Sequence, residues 1–167
     1  GGSGLQGRVV VLSEWGFSFG GAMRYWGVNQ NQTYKHEIGG GYMWSPKVNK
    51  NGARNRFYDS MTEVSVGDVV FSFCDTYIKA IGIVSGPCDS QEKPVEFGSA
   101  GNYWNREGWL VPVDFFELEI PVRPKDFIAI LAPYLPTKYS PLRADGDGNQ
   151  GVYLAPVPDS LAGVLVA

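Results

Sequence analysis

Residues 67–84 read Gly-Asp-Val-Val-Phe-Ser-Phe-Cys-Asp-Thr-Tyr-Ile-Lys-Ala-Ile-Gly-Ile-Val. Gly67-Asp68 is a turn, and Val69 to Cys74 and Ile78 to Val84 are two runs rich in β-branched and aromatic residues, joined at Asp75-Thr76. The pattern predicts a β-hairpin. The runs alternate or run apolar, as strands do. Upstream, Tyr25-Trp26-Gly27-Val28 is a short strand that ends in a polar cluster, Asn29-Gln30-Asn31-Gln32-Thr33. Gly39-Gly40-Gly41 allows a tight path before Tyr42-Met43-Trp44-Ser45-Pro46, where Trp44 is placed on a loop, and Asn51 to Met61 is read as a helix. Downstream, a loop with Pro87, Pro94, Gly98 and Gly101 ends in Tyr103-Trp104, and Trp109 to Leu118 follows as a long strand. Lys125 to Leu131 is a short helix introduced by Pro124. Lys138 to Gly151 is a polar loop, Val152 to Leu154 a short strand, and Asp159 caps a terminal helix. Strands outnumber helices without regular interleaving, so the class is α+β, a small mixed barrel flanked by short helices.

The chain has 167 residues, 44% apolar and 19% charged, with 22 Gly and 11 Pro, which suits one sheet-rich domain and not a helical bundle. Residues 1–22 resemble an expression tag and linker, although Arg8 to Leu12 is strand-like, and the folded unit is expected over 23–167. No apolar run reaches the ~18 residues of a membrane span, so the chain reads as soluble and cytoplasmic, with no membrane partner. The two cysteines, Cys74 and Cys88, match no ligand spacing and are read as reduced thiols. A single histidine, His36, excludes nucleases and hydrolases that need several imidazoles, and no cofactor motif is present. These absences favour a binding module over an enzyme.

Charge is unevenly placed. Between residues 24 and 56, Arg24, Lys35, Lys47, Lys50, Arg54 and Arg56 face one acid, Glu37, which makes this window +5 in a chain of −3 and leaves −8 elsewhere. Such a split suits one face that meets a polyanion while the remainder repels it. A solvated basic patch without a partner is the plainer reading.

The order of these pieces resembles an EVE domain, of the PUA superfamily and related to YTH readers of methylated RNA. It is carried by Tyr25 to Val28, Trp44-Ser45, the Asn51 to Met61 segment, the Gly67-Asp68 turn and the strand pair after it. The wording around Tyr34-Lys35-His36-Glu37 and Tyr139-Ser140-Pro141-Leu142 is also similar to the N-terminal specificity domain of bacterial modification-dependent HNH restriction endonucleases, whose nuclease half this sequence lacks. The resemblance implies a PUA-like mixed β-barrel and a pocket where a flipped, modified base is held between aromatic walls. By position it makes Trp44 the first wall and Trp104 the second, with Ser45, Asn31 and Gln30 against the base edge, while Trp26 and Trp109, inside strands, are candidates for the core or the pocket rim. Lys35, Lys47, Lys50, Arg54 and Arg56, with Arg143, Asn149 and Gln150, are assigned to the DNA backbone. Gly27 departs from the family, where a bulky residue is usual.

The expected function is recognition of 5-methyl- or 5-hydroxymethylcytosine in double-stranded DNA by base flipping, by a monomeric domain that targets a nuclease domain of the same bacterial protein. Two alternatives stay open: a YTH-like reader of N6-methyladenine in RNA, and an aromatic-cage module for methylated peptides. The last normally wants an acid near its cationic ligand, whereas this window is basic.

Overall fold

The computed structural model describes residues 23–100, 107–138, 140–146 and 152–165. Expectations for residues 1–22, Trp104, Tyr139, Asn149 and Gln150 lie outside the described residues. In chain order the elements are β1 (Tyr25–Asn29), α1 (Tyr34–Gly40), β2 (Tyr42–Pro46), α2 (Arg56–Asp59), β3 (Val69–Cys74), β4 (Tyr77–Val84), β5 (Asp89–Glu92), β6 (Glu107–Val122), α3 (Ile128–Leu131), β7 (Leu154–Val157) and α4 (Asp159–Leu165).

β3 is buried at every position because it is paired on both edges, parallel to β1 and antiparallel to β4. The sheet runs β2-β6-β4-β3-β1-β7, with β5 also on β6, and curls into a half-barrel with four short α-helices around it, an α+β fold. The β3–β4 turn is the expected Asp75-Thr76, and both residues take a positive φ (51° and 73°), the twist that a two-residue hairpin needs.

Alternation along the strands divides the apolar residues between two faces. On one face Val69, Phe71, Phe73, Ile78 and Ile81 are covered by Leu131 of α3 and by Leu161, Ala162 and Leu165 of α4. On the other, Trp26, Val28, Met43, Val70, Val111 and Leu154 pack with Met61 and Val64. Tyr42, Trp44 and Phe97 make a third, smaller cluster.

Several elements differ from the sequence reading. Trp44 is not on a loop: it lies within β2, opposite Leu110 of β6. The Asn51 to Met61 helix shrinks to α2 and a 3-10 turn, Ser60–Thr62, because Asn55 caps at Phe57 N (2.9 Å) and Gly52, at φ 88°, closes a turn before it. α1 and β5 arise in stretches read as irregular, and β6 extends beyond Trp109 to Leu118 at both ends. The last strand is Leu154–Val157 and not Val152 to Leu154. Helix begins at Pro124 as a 3-10 turn and becomes α3. At Gly27 a Cβ would stand 3.0 Å from the Phe73 ring and 3.2 Å from Pro141, so these side chains fill the space beside it. The cavity that remains beside it is about 10 Å3, far too small for a base.

Candidate functional site

Beyond β1 the chain turns through Gln30 to Thr33 into α1, and four residues separate Thr33 from Glu37, so the Thr33 hydroxyl meets the Glu37 carboxylate and donates to Oε2. Glu37 is fully buried. β2 ends the sheet order, and the Trp44 N–H on its unpaired edge donates to Glu37 Oε1 at 2.8 Å and to the Tyr153 hydroxyl at 3.1 Å. That hydroxyl donates in turn to Glu37 Oε1, while the Tyr153 carbonyl accepts from Asn29 N at 2.7 Å. Glu37 and Tyr153 therefore bridge the gap between β2 and β1, satisfying backbone that no strand covers. Burial pushes the Glu37 carboxyl up to about 7, against the pull of its donors, and drives the Tyr153 hydroxyl well above its ordinary range. The Gln30 amide nitrogen also bears on the carboxylate, but outside hydrogen-bonding geometry.

Trp44 points away from this network, to the face shared with Leu110. Its indole packs against the sheet at Gly108, where a Cβ would come within 2.2 Å of the ring, and its Nε1 donates to the Gln91 carbonyl of β5 at 2.8 Å. Only glycine at 108 lets the ring approach the backbone so closely. The Phe97 ring stands 5.7 Å from Trp44 at 86°, Tyr42 lies 6.3 Å from Phe97 at 21°, and His36 lies 5.7 Å from Phe97. The Tyr42 hydroxyl donates to Glu96 at 2.8 Å, which helps hold that carboxyl below its usual range. The Tyr42 hydroxyl is itself pushed up by burial and by this acid.

The described residues assigned to the base pocket divide among five places. Trp44 is in the aromatic cluster, 1% exposed. Ser45 is buried on the opposite face of β2, its hydroxyl on the Pro46 carbonyl, and Gln30 is buried beside Glu37, its Oε1 accepting from Ser72. Asn31 is exposed and holds the hairpin tip, accepting from Asp75 N at 2.8 Å. Trp26 packs in a different cluster, its Nε1 on Asp68 at 2.9 Å. Two buried donors, Gln30 Nε2 and Trp109 Nε1, have no hydrogen-bond partner.

Among the basic residues, Lys47 lies over the Trp109 ring at 4.3 Å and donates to Ser90, so it is fixed three positions from Trp44. Lys35, Lys50 and Arg56 are exposed. Arg54 pairs with Asp59 and Arg143 with Asp145, and Arg24 joins Asp68, far along β1 from α1. The +5 window is thus partly neutralised and spread over more than one place. Tyr42, Phe97, Tyr153 and Glu37 escape sequence reasoning. For Glu37 a signal exists, since it is the only acid in that window, four residues after a threonine. Among the described residues no group of three metal-ligating side chains is placed to hold an ion, and no helix is long and apolar enough to cross a membrane.

No family model matches the sequence, and no curated protein matches it. Solved structures do match the fold. The YTH domain of Zygosaccharomyces rouxii MRB1, solved in complex with N6-methyladenosine RNA, is similar over 90% of this chain and 88% of its own, with a TM-score of 0.56 at 11% identity. The fold is YTH-like. The apo Toxoplasma CPSF4 YTH domain has a TM-score of 0.54 at 18% identity, covering 89% of this chain and 87% of that one. Rpa0253 from Rhodopseudomonas palustris has a TM-score of 0.53 at 15% identity, covering 86% and 91%. At these identities the likeness concerns the YTH-like architecture alone.

Proposed function

We propose that this chain is a reader of a modified nucleobase, which it takes out of the stack and holds against Trp44. The observation that carries this reading is an indole packed against Gly108 of the sheet and pinned by its Nε1, within an aromatic cluster of a YTH-like fold. A ring immobilised in this way offers a stacking platform worth about 1–3 kcal/mol per base. A flipped base loses a few kcal/mol of stacking and pairing, so the platform offsets a good part of that cost. A single added methyl contributes only about 0.8 kcal/mol when buried, which makes discrimination a matter of fit.

The favoured ligand is cytosine modified at C5 in duplex DNA, read on behalf of an HNH nuclease domain in the same protein, with no catalysis by this chain. The support is the wording at Tyr34 to Glu37 and Tyr139 to Leu142. Lys47, with Lys35 and Lys50, would meet phosphates and fix the register without reading the base. A second reading, N6-methyladenine in RNA, is favoured by the ligand of the MRB1 structure.

The deciding experiment is a titration at physiological salt of otherwise identical duplexes carrying cytosine, 5-methylcytosine, 5-hydroxymethylcytosine or N6-methyladenine, beside RNA with and without N6-methyladenosine. A modified cytosine should bind most tightly. Preference for the methylated RNA would establish the second reading, and equal affinity for all would remove the reader function.

A further inference from the structure

With the Trp44 indole packed against Gly108, a base must stack on its other side, yet the residue is 1% exposed. Among the described residues the Phe97 ring meets the indole at 86°, 5.7 Å between centroids. Phe97 belongs to no sheet. It is the last residue of a single 3-10 turn, Val95–Phe97, in the connection from β5 to β6. Within the turn Val95 is 92% exposed and Glu96 is exposed, while Phe97 is 2% exposed and Pro94 just before it is buried. One aromatic side chain is thus inserted from the turn, and two side chains of α1 and β2 hold it, His36 against the ring and Tyr42 through its hydroxyl on Glu96. Gly98 follows at φ 54°, ψ −120°, a conformation open to glycine, so the turn joins the next segment through a residue able to absorb a large change of backbone angle.

We propose that Phe97 is a plug that covers the stacking side of Trp44 in the free protein, and that a base enters by displacing it as the 94–98 turn swings about Gly98. The proposal rests on the reading of Trp44 as the stacking wall. An aromatic pair protects the platform from water until a larger π-face replaces it. The cost of opening is the same for every base, so the plug lowers all affinities by one factor, the fraction of molecules that stand open, and leaves the ratio between modified and unmodified bases untouched. That separates a plug from a second cage wall, whose removal weakens binding.

The test uses Phe97→Ala and Tyr42→Phe in protein labelled with 5-fluorotryptophan, with the Trp44 resonance assigned through Trp44→Phe. Tyr42→Phe keeps the ring and removes only the bond to Glu96, so it reports even where Phe97→Ala folds poorly. Solvent exposure of the Trp44 resonance is read without ligand, and affinities are read with 5-methylcytosine and cytosine duplexes and with N6-methyladenosine and adenosine RNA. With the open form a minor state, Phe97→Ala should expose Trp44 and tighten modified and unmodified partners alike by about tenfold or more. Tyr42→Phe should do the same by about threefold. Binding that weakens in Phe97→Ala, or is unchanged in Tyr42→Phe, overturns the plug and leaves the reader function standing. An absence of binding to every probe by the unaltered protein and both variants overturns the reading of Trp44, and the plug falls with it.

Discussion

Glu37 is an acid that the protein keeps about half protonated at neutral pH, because burial removes the water that would solvate its charge. Its folded pKa of about 7 lies above the ordinary 4.5, so between these values the folded state holds a proton that the unfolded chain has released. Stability from this site is therefore complete below about pH 4.5 and is lost as pH rises through 7, by on the order of 3 kcal/mol. Glu37→Gln copies the protonated form and should flatten that slope, being about as stable as the parent at pH 5 and more stable at pH 8 in urea melts. A variant that falls with pH as steeply as the parent would show that the slope arises elsewhere. Trp44 contributes to stability as well as to the binding proposed for it, since it is enclosed. Trp44→Ala should cost about 3–5 kcal/mol, measured by thermal melting, whereas Trp44→Phe keeps enough ring for affinity to be read on a folded protein.

At the scale of elements, the β3–β4 hairpin puts threonine where a type I′ turn wants glycine. Thr76 holds φ 73°, and a β-branched residue there is strained. The turn tolerates it because Asn31 accepts from Asp75 N and Lys79 pairs with Asp75, which ties the tip to the end of β1. Thr76→Gly should stabilise the protein by about 1 kcal/mol in chemical denaturation, strain relief outweighing the freedom glycine adds to the unfolded chain. Loss of stability would mean that the Thr76 side chain makes contacts that outweigh its strain. The hairpin was legible from residues 67–84 because β3 is buried at every position and β4 at most, so both runs are largely apolar and need no partner information to be read. β2 was not, since Gly39 to Gly41 before it and Pro46 within it look like loop signals, and only pairing with β6 makes a strand of it.

For the whole molecule, the relevant charge is what remains after local pairing. Arg54, Arg143 and Arg24 have acidic neighbours, and Lys47 is held over Trp109. If three to five phosphates are neutralised, log affinity should fall with log salt at a slope between about −3 and −5. Lys47→Ala should reduce that slope by about 1 and weaken modified and unmodified nucleic acid equally, because phosphates carry no information about the base. A loss confined to the modified partner would move Lys47 from the backbone to the base.

The sequence by itself determined the two largely apolar strands, the turn that joins β3 to β4 and the basic stretch around Trp44, because each is a property of neighbouring residues. Only the tertiary structure decided that Trp44 packs against Gly108, 64 residues away in the chain. It likewise decided that Glu37 meets Tyr153 and that the Phe97 ring meets the indole. These meetings depend on how a curled sheet brings its ends together, and no local pattern records that geometry.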